Sequence, residues 1–145
     1  KLDFKKLHPS GNLGIQLRTV EDIMLVGKKI PFVSHKMKMK KAINLLSEKK
    51  LGILIVRNRE NKTIGIITDG QIRRFNQKKL DLKSLKVKQV MTKNPISIDK
   101  DSLAAKALAL MNNKKITSLC VYDKKNINKT VGVLHIHNLL NSNID

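Results

Sequence analysis

Few side chains in this chain can do chemistry, and their spacing narrows what that chemistry is. His135 and His137 stand two apart, so on a strand both imidazoles project from one face, as two ligands of a metal would. The other histidines, His8 and His35, lie far away in sequence and no third ligand is evident, so no metal site is expected. Cys120, the single cysteine, sits in the apolar run Leu119-Cys120-Val121-Tyr122 with no catalytic His or Asp pattern around it. It reads as a buried strand thiol rather than a nucleophile, and alone it forms no internal disulfide. Arg73 and Arg74 follow Thr68-Asp69-Gly70-Gln71-Ile72 and can hold a phosphate or carboxylate through charge-assisted hydrogen bonds. The plainer alternative is two solvated arginines on a short helix. A free-standing enzyme needs a nucleophile–base constellation, and none is found.

Charge adds a second constraint. The 145 residues hold 30 Lys plus Arg against 11 Asp plus Glu, a formal charge of +19. Such a bias attracts nucleic acid or anionic lipid. The basic residues are scattered, however, and most are Lys; aromatics make up only 3%. Arginine forks and stacked rings, which read bases, are therefore scarce. A solvated lysine surface is the expectation, and a basic nucleic-acid-binding protein is the alternative. No run is long enough to span a membrane and no signal peptide is visible, so a cytoplasmic location with no membrane partner is expected. The chain opens on Lys1 rather than Met, as a piece of a longer protein would.

The candidate residues are positioned by elements written twice, some 65 to 67 residues apart. Val20-Glu21-Asp22-Ile23-Met24 opens one copy and Val87-Lys88-Gln89-Val90-Met91 the other. Short extended segments follow, Ile30-Pro31-Phe32-Val33-Ser34 and Asn94-Pro95-Ile96-Ser97-Ile98. Next come helical patterns, Met39, Ala42, Ile43, Leu46 and Leu51 in one copy, and Leu103, Ala107, Leu108, Leu110 and Met111 in the other. Asp101 or Ser102 is the expected cap of the second helix, and each helix ends in lysines that suit its negative pole. Two runs of mainly β-branched residues then flank a polar turn, and a short helix closes each copy, 70–75 and 137–141. Each copy reads β-α-β-β-α, and one such unit is too small to bury a core well. The expected fold is mixed α/β: two repeats, 20–76 and 87–145, packed with pseudo-two-fold symmetry and joined by a polar linker at 77–86, with 1–19 as a leading linker.

These motifs resemble a known family. Asp22-Ile23-Met24, Ile30-Pro31-Phe32-Val33 and Gly65-Ile66-Ile67-Thr68-Asp69-Gly70-Gln71-Ile72-Arg73-Arg74 are similar to the first CBS domain of bacterial arabinose-5-phosphate isomerases. Val90-Met91-Thr92, Ile116-Thr117-Ser118 and the ending Gly132-Val133-Leu134-His135-Ile136-His137-Asn138-Leu139-Leu140 resemble the second. His8-Pro9-Ser10-Gly11-Asn12-Leu13-Gly14 resembles the segment that joins a sugar-isomerase (SIS) domain to the CBS pair, with Ser10 where the family has Gly.

The resemblance implies a non-catalytic regulatory fragment of an enzyme that interconverts ribulose 5-phosphate and arabinose 5-phosphate for Kdo and lipopolysaccharide synthesis. The missing SIS domain is one implied partner. A homodimer of CBS pairs, a tetramer in the full-length enzyme, is another. His8 would assist proton transfer only in that longer enzyme. No cofactor is implied; the implied effector is an adenosine nucleotide or an end product such as CMP-Kdo, bound between the repeats. The family places Thr or Ser at the last strand's end and Asp three residues on. Here those positions are Thr68 and Gln71 in one copy, and His135 and Asn138 in the other. Neither copy has the ribose-reading carboxylate, which weighs against the usual adenosine nucleotide. With Arg73, Arg74 and His137, the expected lining includes Pro31, Phe32, Gly52, Pro95 and Thr117.

Overall fold

A computed structural model describes residues 17–141. The chain forms α1 (Val20–Ile23), β1 (Phe32–Ser34), α2 (Met39–Lys49), β2 (Ile53–Arg57), β3 (Thr63–Thr68), α3 (Asp69–Gln77) and α4 (Val87–Val90). It continues through β4 (Thr92–Lys93), β5 (Ser97–Asp99), α5 (Ala104–Lys114), β6 (Ser118–Asp123), β7 (Asn126–His135) and α6 (Ile136–Asn141). The sheets have the orders β1-β2-β3-β4 and β5-β6-β7. In each, the first strand pairs parallel with the second, and the second forms an antiparallel hairpin with the third.

Two compact units result, and their edges differ from those of the written repeats. One unit is Lys28–Pro95; the other combines the described residues up to Gly27 with those from Ile96 onward. The opening segment of each copy therefore belongs to the unit built from the other copy's sheet. Val20 of α1 lies in the core with Ile98, Ala107, Leu119 and Leu134. Val87 and Val90 of α4 lie in the core with Val33, Leu46, Leu54 and Ile67. Burying one such valine is worth roughly 1.5–3 kcal/mol. Leu82, in the stretch expected to be a linker, is also buried in that second core.

Backbone chemistry fixes the exchange. A helix leaves its first N–H groups without partners inside the helix, and Lys38 and Leu103, the N-cap residues of α2 and α5, supply no side-chain acceptor. Asp101 and Ser102 do not cap α5: Asp101 precedes the helix by three residues, and the N-cap is one residue beyond Ser102. The acceptor comes from the exchanged segment instead. Met39 donates its backbone N–H to Leu85 O at 2.8 Å, and Ala104 donates to Arg18 O at 2.8 Å. Each contact is flanked by an antiparallel bridge, Lys38 with Lys86 and Thr19 with Leu103. Helix α2 stops at Lys49 because Lys50 turns left-handed at φ 58°, which leaves Leu51 outside the helix.

A glycine seats each exchanged segment. A Cβ on Gly65 of β3 would lie 2.7 Å from Met91 Sδ and 2.8 Å from Thr92 O. A Cβ on Gly132 of β7 would collide with Met24 Sδ and lie 3.1 Å from Leu25 O. Only a bare backbone lets the Met segments lie this close. Gly65→Ala is therefore expected to destabilise the fold by roughly 1–3 kcal/mol, because a backbone carbonyl cannot swing aside as a thioether can. Urea denaturation measures this; a loss under about 0.5 kcal/mol would mean that the seat is looser than described.

Candidate functional site

Each unit ends its hairpin in the same device, a strand that turns straight into a helix. Ile53 pairs with Thr68, and Ser118 pairs with His135, so the two junctions occupy equivalent places in their sheets. Thr68 is the N-cap of α3. Its hydroxyl accepts from Gln71 N at 3.3 Å, and its own N–H donates to Gln71 Oε1 at 2.9 Å. The other end of the Gln71 amide donates to Val90 O at 2.9 Å. Gln71 is buried and both ends of its amide are held by the protein, so it ties α3 to α4 rather than facing a ligand.

Arg73 and Arg74 are exposed, yet both guanidinium groups turn back over Gly70. A point one bond from the Gly70 Cα lies 3.3 Å from Arg74 Nη1, 3.8 Å from Arg73 Nη2 and 3.8 Å from Thr68 Oγ1. Two cationic donors and a hydroxyl thus converge where a side chain is missing, at the positive end of a nine-residue helix. Gly52, left-handed at φ 71°, accepts from Asp69 N at 3.2 Å, and a Cβ there would lie 3.1 Å from Asp69 Oδ2. The exposed Asp69 carboxylate has no ion pair among the described residues. Residue types alone do not single out Asp69 and Gly70; their adjacency to Thr68 is the signal that points to them.

Pro31 is buried, and its carbonyl accepts from Ile55 N at 2.9 Å. Phe32 is half-buried, and the Arg57 guanidinium lies 3.7 Å over its ring centroid, covering one face. Pro95 ends the Lys28–Pro95 unit, just before β5. His8 lies outside the described residues.

The second junction uses different chemistry. His135 N donates to Asn138 Oδ1 at 2.9 Å, and His137 N donates to His135 Nδ1 at 3.1 Å. The two rings stack with centroids 4.7 Å apart. Thr117 is exposed, and its carbonyl accepts from Ile136 N at 2.8 Å. A buried imidazole thus does what the Thr68 hydroxyl does in the first copy, and Asn138 stays within its own turn. Among the described residues no group of three or more His, Cys, Asp or Glu could hold a metal. Cys120 is buried, which pushes its thiol up to about 12.

A model of the CBS domain family matches residues 20–78 and again 87–144. The chain belongs to the CBS domain family. It is a tandem CBS pair, 37% identical to the uncharacterized protein RP505 of Rickettsia prowazekii and 35% identical to the arabinose 5-phosphate isomerase KdsD of Yersinia pestis. Both matches cover 98% of this chain and 43% of the relative, so the CBS pair spans less than half the length of these curated relatives. Among solved structures, that of CBSX2 in complex with AMP superposes with a TM-score of 0.76 at 23% identity, covering 87% of this chain and 96% of that one. No helix among the described residues is long and apolar enough to cross a membrane.

The His135 cap has a pH signature. Nδ1 must keep a lone pair to accept from His137 N, and burial, followed by the charge of His137, holds the His135 value below the ordinary 6.5. The unfolded chain therefore takes up this proton first. The cap's contribution is complete above pH 6.5 and declines as pH falls from there toward the depressed folded value. Denaturation between about pH 7 and 5 should show wild type losing stability faster than His135→Thr, which carries the first copy's cap. Equal slopes would contradict the assigned role.

Proposed function

We propose that this CBS pair is the regulatory module of an arabinose-5-phosphate isomerase, and that it senses a phosphate-bearing effector, a nucleotide or a nucleotide-sugar such as CMP-Kdo. The single supporting observation is the convergence of Arg73, Arg74 and Thr68 over the bare Gly70 at the start of α3. A phosphate there would take charge-assisted hydrogen bonds from both guanidiniums and lie at the helix's positive pole. Asp69, one residue after Thr68, offers a carboxylate that can accept hydroxyl groups of a ribose or sugar. That is a different place from the family's Asp, so an adenosine nucleotide would be held differently from the family's usual mode.

The isomerase part of the reading rests on the KdsD relative, whose length leaves room for a further domain. In this account that domain is the SIS catalytic domain, the protein works in the cytoplasm as a homodimer or tetramer, and its product feeds Kdo and lipopolysaccharide synthesis. Nucleotide binding is supported by the AMP complex of a protein with the same fold. The second junction, with a bulkier imidazole pair in place of Thr and no arginine beside it, is expected to bind the effector more weakly or not at all. Effector binding would act on the enzyme by favouring one packing of the module over another.

Isothermal titration and thermal shift with CMP-Kdo and AMP test this reading. Binding by wild type and about a tenfold loss or more in Arg73→Ala and in Arg74→Ala are expected. The reading fails if saturating CMP-Kdo and a nucleotide panel leave the melting temperature unchanged, or if both variants bind as wild type does.

A further inference from the structure

The two units build the same ladder between an exchanged segment and the turn before the long helix, but they charge it in opposite ways. In the β5–β7 unit this ladder sets Thr19 opposite Leu103. Two lysines near it are paired with acids: Lys100 lies 3.4 Å from Glu21 and 3.3 Å from Asp101, and Lys124 lies 3.2 Å from Asp99. In the β1–β4 unit the ladder sets Lys38 directly opposite Lys86. The bonds Met39 N to Leu85 O and Val87 N to Met37 O flank that pair, which makes it the non-hydrogen-bonded kind, whose side chains stand closest. Like charges in direct opposition destabilise a ladder.

More lysines crowd the same edge. Lys88 N donates to His35 O at 3.0 Å, which brings Lys88 beside Lys36, and Lys40 and Lys83 flank the two segments. All six are exposed, and none forms a side-chain ion pair among the described residues; one acid, Asp81, accepts from the Lys83 backbone N–H at 3.1 Å. Neither 35–41 nor 83–88 contains an Asp or Glu. The apolar residues between them turn inward: Met39 and Val87 are fully buried, and Met37 and Leu85 pack on the core.

We propose that this edge binds the phosphodiester backbone of a nucleic acid without reading its bases. Lysines are compact point charges suited to phosphates, and segments 35–41 and 83–88 hold no Arg, Phe, Tyr or Trp to recognise a base. A lipid surface fits less well, because no exposed large hydrophobic residue stands in either segment to enter it. The inference is independent of the effector site, which lies at the start of α3.

Fluorescence anisotropy with a labelled oligothymidylate at two ionic strengths tests it. The variant Lys36→Gln/Lys38→Gln/Lys86→Gln is compared with Lys62→Gln/Lys125→Gln/Lys129→Gln, which removes equal charge elsewhere. Wild type should bind with steep salt dependence, the edge variant should lose about tenfold in affinity and part of the salt slope, and the control should lose no more than about threefold. Relieving the opposed charges should leave melting unchanged or raised; should the triple variant fail to fold, Lys36→Gln and Lys88→Gln carry the same comparison singly. The proposal is overturned if wild type does not bind, if both triples weaken alike, or if polyglutamate or phosphatidylserine vesicles compete as strongly through the same lysines.

Discussion

The helix N-termini of α2 and α5 need carbonyl oxygens that their own repeats do not supply, and the rest of the structure follows from how that need is met. Lys38 and Leu103 are poor caps. Leu85 O and Arg18 O take the bonds instead, each from a segment that opens or precedes the other copy. The same segments deliver valines to the cores and lay their methionines against the two bare glycines. One short exchange thus satisfies buried backbone, fills the core and fixes a register. A repeat of about 55 residues, too small to close a core by itself, is completed by its twin.

Much of this was legible in the residues. The apolar runs 53–56 and 119–121 became β2 and β6, and the Met39/Ala42/Leu46 and Ala107/Met111 spacings became the buried stripes of α2 and α5. Thr68 and His135 stand at the strand–helix turns, where the resemblance to the family puts them. The exchange was not legible. Val20 to Met24 reads as the start of the repeat it precedes, and nothing in five residues says which sheet they cover. Strand β4 is two exposed residues, too short to leave a pattern. The bond from Gln71 to Val90 joins residues 19 apart, and composition alone presents Gln71 as a polar residue open to ligand.

The two copies have diverged on this shared frame in chemistry rather than in topology. One junction caps its helix with a hydroxyl and gathers two guanidiniums; the other caps with a neutral imidazole and stacks a second upon it. One ladder sets Thr19 against Leu103, with Lys100 nearby paired to acids, while the other sets lysine against lysine. Neither difference undoes the exchange, because the helix-start bonds, bridges and glycine seats are made by backbone and by small or apolar side chains. Such a division leaves the exposed polar positions free to specialise while the core stays fixed.

The exchange itself is tested most directly by dividing the chain. Residues 1–78 and 79–145, each holding one matched CBS repeat together with the segment that precedes it, are produced separately and followed by circular dichroism and amide NMR. The account predicts that each piece alone lacks a cooperative thermal transition and dispersed amide signals, and that mixing restores both. A cooperative melt and a dispersed spectrum from residues 1–78 alone, as a monomer, would contradict it.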